Sequence, residues 1–383
     1  DAMDFVLENP MSRLSQHPEV AKHTLSVQRL ELIFGQPART SRNTLLTRPI
    51  WVLTYGGCYG ECAPLPGLSP DWVDEKHWTA TLHEAVRHFN EVAASAPNFD
   101  ILAAAMEPAL ERYRRDHPSL VFGFESLLQQ LSKNIHRHPT TEESTITSLN
   151  EGAFKTLSVN GLVWMNEIEN MRSEAHQKVK AGYRCIKLKI GALDWPAELE
   201  LLQELREAYP VERLQIRVDA NGAFDPDTAP LRMQSLQSLQ VHSIEQPLPV
   251  RYDSCLPDIC QPGTLPVALD ESILHRYPDA SSRSWLAQSG VSFLVLKPGL
   301  LGGFRKAEAW IQIAQDLGLG WWITSALESN IGLEALAHWT LEQTQKHQNP
   351  LAQGLGTGAL YTNNFPSLLR VQNGLLSIPS IEA

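Results

Sequence analysis

Residues 185–190 read Cys-Ile-Lys-Leu-Lys-Ile, and residues 214–222 read Leu-Gln-Ile-Arg-Val-Asp-Ala-Asn-Gly. Both begin as short apolar runs rich in β-branched residues, which are typical of buried strands. Similar runs recur at roughly 25–30 residue intervals along the second half of the chain; they are Leu157–Trp164, Ser243–Ile244, Val267–Leu269, Phe293–Leu296 and Trp321–Thr324. Helix-forming segments lie between most of them: Asn166–Ala181, Trp195–Ala208, Thr228–Leu239 and Phe304–Leu317.

Repeated strand–helix units predict a parallel sheet, because each strand must return through a crossover helix. Seven or eight such units in succession favour an α/β fold with a closed (β/α)8-type barrel. The alternative is an open Rossmann-like sheet, but no Gly-x-Gly-x-x-Gly motif follows any early strand.

The first half of the chain has a different pattern. Apolar and polar residues alternate over Thr24–Phe34 and Thr47–Tyr55, which predicts two antiparallel strands. Residues 56–67 are rich in Gly and Pro and are expected to form a structured loop. Helical patterns then cover residues 79–95, 100–114 and 122–133, so this half is predicted to be an α+β domain.

The chain has 383 residues, which suits a barrel of about 250 residues plus a second module. The expected division is a poorly determined segment at 1–22, an α+β capping domain at 23–155, a barrel at 156–355, and a C-terminal segment at 356–383 that returns to the capping domain. Residues 1–22 lack sustained periodicity, and Met11 is a candidate for the natural start.

Composition excludes several classes of function. The net charge of −11 disfavours nucleic acid as a partner, and no apolar stretch is long enough to predict a membrane span. The segment Asp1–Pro10 is acidic and mixed rather than typical of a secretory signal, so a cytoplasmic location is expected. The five cysteines are an odd set without a second pair at zinc-finger spacing, so reduced thiols are expected. A metal clip at Cys58 and Cys62 is disfavoured because their loop has no histidine partners.

Charged residues end most of the predicted barrel strands. In such a barrel the active site lies at the carboxyl ends of the strands, so these side chains are expected to share one mouth. They are Lys187, Lys189, Asp219, Glu245, Asp270 or Glu271, and Lys297. Each carboxylate taken alone could be a turn residue or a helix cap.

Three carboxylates at one end of neighbouring strands repel one another unless a cation holds them. Oxygen-only ligands without His or Cys suit Mg²⁺, with Mn²⁺ as an alternative. Strand phase alone does not choose between Asp270 and Glu271.

Lys187 and Lys189 are two residues apart on a strand, so their side chains leave the same face. Two ammonium groups about 7 Å apart repel by about 2.4 kcal/mol at an effective dielectric constant near 20. This repulsion predicts a lowered lysine pKa and a group able to take a proton from carbon. Lys297 is expected to face this pair from across the mouth.

This series of Lys-x-Lys, Asp, Glu, Asp and Lys on successive strands resembles the muconate-lactonizing subgroup of the enolase superfamily. The resemblance implies that Asp219, Glu245 and Asp270 hold Mg²⁺. It also implies that Lys189 and Lys297 are catalytic and that Lys187 is a supporting cation. Residues 59–67 resemble the family's specificity loop in the capping domain, which is expected to close over the mouth.

Within the subgroup, residues 159–164, 324–332 and 354–364 are similar to o-succinylbenzoate synthases. Mandelate-racemase relatives have a His-Asp dyad where this chain has Lys297, and dipeptide epimerases usually have Asp-x-Asp where it has residues 325–329. Ser325, Ser329 and Asn221 are candidate contacts for a small carboxylate substrate, although helix capping is an alternative for the serines. The oligomeric state is left open.

The resemblance implies Mg²⁺-dependent syn elimination of water from 2-succinyl-6-hydroxy-2,4-cyclohexadiene-1-carboxylate in menaquinone biosynthesis, which makes the protein a carbon–oxygen lyase. N-acylamino acid racemase and muconate cycloisomerase, of the same subgroup, are the enzymatic alternatives. A non-catalytic scaffold would be expected to have a broken ligand set, whereas here every position is filled.

Overall fold

The computed structural model of the chain describes residues 24–39, 44–133 and 154–380. The predicted N-terminal segment at 1–22 therefore lies outside the described residues. Across the part that is described, no helix is long and apolar enough to cross a membrane.

The first described region is an antiparallel sheet followed by helices, as the alternating pattern predicted. The sheet contains, in order, β1 (Ser26–Arg39), β2 (Thr44–Tyr55) and β3 (Cys58–Cys62). Three helices follow: α1 (Glu75–Ser95), α2 (Phe99–Tyr113) and α3 (Pro118–Ser132). The side chains of Asp74 and Asn98 accept backbone hydrogen bonds at the starts of α1 and α2, and Pro118 opens α3.

The prediction of a loop over residues 56–67 was wrong in its first half. Residues 58–62 form β3, paired antiparallel with β2, and Tyr59 on β3 lies opposite Thr54. The glycines that suggested a loop serve the strand and its turn: Gly56 and Gly57 take positive φ at the hairpin. Gly60 lies against α3, where a Cβ would meet the Gly123 carbonyl oxygen at 2.1 Å. Close packing of strand on helix therefore requires glycine at position 60.

The second region is built on a parallel sheet of seven strands with intervening helices. The strands are hydrogen-bonded in sequence order: β5 (Gly161–Val163), β6 (Cys185–Lys189), β7 (Gln215–Asp219), β8 (Ser243–Glu245), β9 (Val267–Leu269), β10 (Phe293–Leu296) and β11 (Gly320–Ile323). The helices of ten or more residues are α4 (Ile168–Lys180), α5 (Trp195–Ala208), α6 (Ala229–Ser238), α9 (Ala280–Ser289), α11 (Gly303–Leu317) and α12 (Asn330–Lys346). Shorter helices are α7 (Leu256–Ile259), α8 (Glu271–Leu274) and α10 (Pro298–Leu301). The α/β class and the strand order agree with the prediction.

The predicted first barrel strand, Leu157–Trp164, divides into two strands of different sheets. Its first part belongs to β4 (Phe154–Ser158), which pairs with β13 (Leu375–Pro379), and β13 also pairs with β12 (Arg370–Gln372). Its second part is β5, which pairs with β6. An apolar run of this kind does not reveal a change of partner, because the local pattern does not specify which strand lies beside it.

Residues 353 and 354 contact both edges of the seven-stranded sheet. Gln353 forms a parallel bridge with Val159, and Gly354 forms one with Thr324. The C-terminal part then touches the first region, because Tyr361 bridges Phe34 and Asn363 accepts a hydrogen bond from Ile33 N at 2.8 Å.

Candidate active site

Strand register places the charged side chains at one level of the parallel sheet. Lys189 on β6 lies beside Asp219 on β7, and Asp219 lies beside Glu245 on β8. Asp270 directly follows β9, and Lys297 directly follows β10. In-register parallel pairing therefore brings together the strand-end residues that the sequence singled out.

Lys187 and Lys189 both bind carboxylates of the neighbouring strands. Lys187 Nζ donates to Glu245 Oε2 at 2.8 Å and to Asp219 Oδ2 at 3.3 Å. Lys189 Nζ donates to Asp219 Oδ2 and to Asn221 Oδ1, each at 2.7 Å. Both lysines line one cavity, as their shared strand face predicted.

Lys297 lines the same cavity and is bound to a carboxylate of its own. Its Nζ donates to Asp270 Oδ2 at 2.5 Å. Burial opposes its charged form, but Asp270, Glu245 and Glu271 outweigh burial and raise the pKa of Lys297. This lysine is therefore held as a cation in the structure.

The predicted lowering of the lysine pKa was wrong for Lys187. Burial disfavours its charge, but the carboxylates of Glu245 and Asp219 exceed that effect and raise its pKa. The prediction considered only repulsion between Lys187 and Lys189. The attraction between the Lys187 ammonium and a carboxylate at about 3 Å is stronger than the repulsion from a second ammonium at about 7 Å, because Coulomb energy falls with distance.

The three lysines do not fully compensate the buried negative charge of the carboxylates. Burial and the neighbouring Asp219 raise the pKa of Glu245 to about 7, and burial together with Asp270 raises that of Glu271. One buried oxygen of each of three side chains has no hydrogen-bond partner among the described residues: Glu245 Oε1, Asp270 Oδ1 and Glu271 Oε2. Unpaired buried carboxylate oxygens are costly and are the ligands that a hard cation prefers. The donor set therefore fits a divalent cation.

The side chains do not converge on a single metal-binding point as they stand. Within residues 24–39, 44–133 and 154–380, no three His, Cys, Asp or Glu side chains group closely enough to hold an ion. The lysine ammonium groups lie among the carboxylates and occupy their bonding directions.

Asp270 and Glu271 both reach the site, at different depths. Asp270 is 1% exposed and holds Lys297. Glu271 lines the cavity, and its Oε1 accepts a hydrogen bond from Asn221 Nδ2 at 3.1 Å. Asn221 has a φ of 43° and links the Asp219 strand end to this second acid.

The cavity has a volume of about 110 Å³ and combines charged and apolar walls. Its charged wall holds the three lysines and Glu271. Leu65, Pro66 and Gly67, from the segment after β3, also line it, so the last part of the predicted specificity loop reaches the mouth. Sequence reasoning did not single out Trp164 or Leu327 as cavity residues, although Trp164 ends a strand run just as the lysines do.

The two candidate serines differ in position. Ser325 lines the cavity, and its hydroxyl donates to Glu328 Oε2 at 2.5 Å. Ser329 is fully buried; its hydroxyl donates to Glu61 and accepts from Ile331 N at 3.2 Å, which makes it the cap of α12. The helix-cap alternative thus describes Ser329, whose substrate contact remains a prediction.

Comparison with known proteins finds a matching family model and a similar full-length relative. The family model "Enolase C-terminal domain-like" matches residues 170–381. The o-succinylbenzoate synthase of Desulfotalea psychrophila is 38% identical over 375 residues, which covers 92% of this chain and 98% of that protein.

Solved structures show the same fold. The crystal structure of MenC from Desulfotalea psychrophila superposes with a TM-score of 0.71 and 34% identity, covering 93% of this chain and 99% of that one. A dipeptide epimerase from Methylococcus capsulatus, solved in complex with Mg and a dipeptide, has a TM-score of 0.72 at 20% identity over 93% of this chain and 98% of its own. At that identity the second match supports the fold alone.

Proposed function

Because this chain belongs to the enolase superfamily and, within it, to the o-succinylbenzoate synthases, we propose that it dehydrates 2-succinyl-6-hydroxy-2,4-cyclohexadiene-1-carboxylate to o-succinylbenzoate. The reaction is that of a carbon–oxygen lyase in menaquinone biosynthesis. The observation that carries the proposal is a single cavity lined by Lys187, Lys189 and Lys297, at the carboxyl ends of strands that also end in Asp219 and Glu245.

Asp219, Glu245 and Asp270 are the proposed ligands of Mg²⁺ or Mn²⁺. Two observations support this ligand set. Glu245 and Asp270 each have one carboxylate oxygen without a hydrogen-bond partner among the described residues, and all three residues lie at adjacent strand ends. When bound, the ion supplies positive charge for the substrate carboxylate. Glu271 is the alternative to Asp270 because it also carries an unpaired oxygen.

Lys189 is the proposed base. Asp219 and Asn221 hold its Nζ at 2.7 Å each and so orient it in the cavity. The neutral amine takes the proton from the ring carbon beside the carboxylate. The electron pair of that C–H bond becomes a ring double bond as the C–O bond breaks. The resulting ammonium returns the proton to the departing hydroxide, which leaves as water, and the lysine is neutral again.

Lys297 and Lys187 act as cations in this scheme. The carboxylates around both lysines keep them protonated, so they stabilise negative charge that develops on the substrate while Lys189 moves the proton. Such preorganised charges are worth most in a site that excludes water. Leu65 and Pro66 form an apolar wall that serves this purpose when the loop closes.

Ser325 and Asn221 are the proposed polar contacts for the substrate. Ser325 lines the cavity beside Leu327, where the succinyl chain would lie, and Asn221 lies between Lys189 and Glu271. Ser329 would need to leave Glu61 before it could reach a substrate.

The seven parallel strands are proposed to form a (β/α)8-type barrel in which residues 353–354 occupy the eighth position. The two bridges from these residues to Val159 and Thr324 support closure. The proposed domains remain a cap at 23–155, a barrel at 156–355 and a returning segment at 356–383. The proposed location of the protein is the cytoplasm. Residues 360–363 contact β1, in line with that return.

The test is turnover of the cyclohexadiene substrate by the purified protein with Mg²⁺, followed by the ultraviolet change on aromatisation. Lys189→Ala should lower kcat by roughly 10²–10⁴, the contribution of a general base. Lys180→Ala is the matched control, because Lys180 is exposed at the end of α4 and should leave turnover unchanged. No turnover by the wild-type protein, together with racemisation of an N-acylamino acid, would replace the proposal with the racemase alternative.

A second assay addresses the metal. Thorough EDTA treatment should abolish turnover, and Mg²⁺ or Mn²⁺ should restore it. Asp219→Asn should weaken Mg²⁺ binding in a direct titration, since it removes a ligand charge at the strand end. Unchanged Mg²⁺ affinity in this variant would remove Asp219 from the ligand set.

A further inference from the structure

A second cavity lies away from the proposed active site, between the capping helices and the parallel-sheet region. Its volume is about 310 Å³. Arg115 and Asp116 line it from the turn between α2 and α3, residues 274–277 line it from the segment after α8, and Lys306 lines it from α11. A space of this size is suited to a small molecule.

Lys306 is a mostly buried cation whose ammonium has no protein acceptor among the described residues. Its side chain is 5% exposed, and among the described residues its ammonium has no hydrogen bond or ion pair. The ammonium lies over the ring of Tyr277, whose centroid is 5.0 Å from Nζ. An aromatic face attracts a cation but does not satisfy three N–H donors, and Lys306 lines the cavity, so these donors are available to a ligand bound there.

The other cations of the cavity add to this positive charge. Arg115 is exposed, makes no hydrogen bond or ion pair among the described residues, and lines the cavity beside Asp116. Arg276 uses two nitrogens on Asp253 and the Ser272 carbonyl and stacks over Trp285. Among the described residues that line the cavity, Asp116 is the only carboxylate, against Arg115, Arg276 and Lys306. Two further carboxylates lie behind the wall: Asp253 binds Arg276, and Glu111 binds Tyr277 and also acts on Lys306.

The walls of this cavity are held firmly in place. Arg114, next to Arg115, is 2% exposed and donates to Glu125 at 2.5 Å and to the Gly302 carbonyl at 2.9 Å. Tyr277 donates its hydroxyl to Glu111 at 2.6 Å. These bonds join the turn, the segment after α8 and the residue before α11, so the backbone that carries Arg115 and Lys306 is held in place before a ligand arrives.

We propose that this cavity binds a small oxyanion, either a phosphoryl group or a dicarboxylate, through Lys306 and Arg115. The bound anion would supply the acceptors that Lys306 lacks. The alternative is that Lys306 only packs against Tyr277, in which case its ammonium would bind no ligand. Burial and the neighbouring Arg115 and Arg114 lower the pKa of Lys306 to about 8, and a bound anion would reverse that effect.

The proposal is tested by calorimetric titration of the full chain at pH 8 with sulfate and, separately, with succinate. Both probes are fully ionised at this pH, and they stand in for a phosphoryl group and a dicarboxylate. We expect saturable binding of at least one probe, and the tighter of the two identifies the class of ligand. Lys306→Met and Arg115→Gln should each weaken it about ten-fold or more, as expected for loss of one charge-assisted hydrogen bond.

Arg305→Gln is the matched control, because Arg305 neighbours Lys306 but is 62% exposed and pairs with Glu107 outside the cavity lining. Binding should take up a fraction of a proton, measured in buffers of different ionisation enthalpy, and this uptake should vanish in Lys306→Met. The proposal is overturned if neither probe binds saturably. It is also overturned if binding persists unchanged in both cavity variants, since the anion would then lie elsewhere, for example among the lysines of the first cavity.

Discussion

Glu61, on the sheet of the first region, caps the start of helix α12 in the second region. Its removal should lower the free energy of unfolding. Glu61 lies on β3 and is fully buried. Its Oε1 accepts from Ser329 N at 2.8 Å, and its Oε2 accepts from Gly332 N at 2.8 Å and from the Ser329 hydroxyl. Glu61 thus satisfies backbone donors at the start of α12, where a negative charge is also favoured by the helix dipole.

Glu61→Ala leaves the N–H groups of Ser329 and Gly332 buried without acceptors. Each unsatisfied donor costs about 1–3 kcal/mol. Part of this loss is offset, because burial raises the pKa of Glu61 and the folded chain therefore carries a penalty for its charge at neutral pH. We expect a net loss of about 3 kcal/mol, which at roughly 2 °C per kcal/mol lowers Tm by about 6 °C.

Glu61→Gln should cost less, about 1–2 kcal/mol. Either orientation of the amide places its NH₂ group against one backbone N–H, so one contact is lost while the buried charge is removed. Thermal unfolding at pH 7 should rank the free energies of unfolding as wild type above Gln above Ala. Glu91→Gln, at an exposed position of α1, is the control and should stay within about 0.5 kcal/mol of wild type. A Glu61→Ala protein as stable as wild type would refute the reasoning.

Three further predictions concern the site and its surroundings. Asp270→Ala should lower turnover far more than Glu271→Ala, and the opposite ranking of the two kcat values would reassign the third ligand. Lys297→Arg keeps the charge but transfers protons poorly, so synthase turnover should remain measurable while any racemisation is lost; normal racemisation would show that the charge is not its sole role. Burial and Arg217 lower the pKa of His242 to about 4, so stability that is complete above pH 6.5 falls as the unfolded chain takes up a proton. About 1–2 kcal/mol should be lost by pH 5, and His242→Gln should show a smaller fall in Tm between pH 8 and pH 5.

The strands and their charged ends were predictable from the sequence because both are local patterns. A short β-branched run is buried whichever neighbours it meets, and the residue after it lies at the carboxyl edge of a parallel sheet. This reasoning located Lys187, Lys189, Asp219, Glu245 and Lys297, and the structure places them around one mouth. The division between β4 and β5 was missed, because pairing partners are not written in the run itself.

Charge states were less predictable, because they depend on every neighbour in space. Two lysines on one strand face suggested repulsion and a lowered pKa. The tertiary structure instead places Glu245 and Asp219 beside Lys187, and their attraction raises its pKa. Sequence spacing determines which side chains share a face, but only folding decides which charges lie opposite them.

The sequence by itself determined the fold class, the order of the strands and the residue types at the mouth. The tertiary structure alone decided that Glu61 caps α12 across 268 positions of the chain and that Ser329 is engaged by that carboxylate. It also decided that Lys306 has no acceptor within the part of the chain that the structure describes. The physical reason is that strand and helix formation depends on neighbours within a few residues. Hydrogen-bond satisfaction of buried polar groups depends instead on which distant segments pack together.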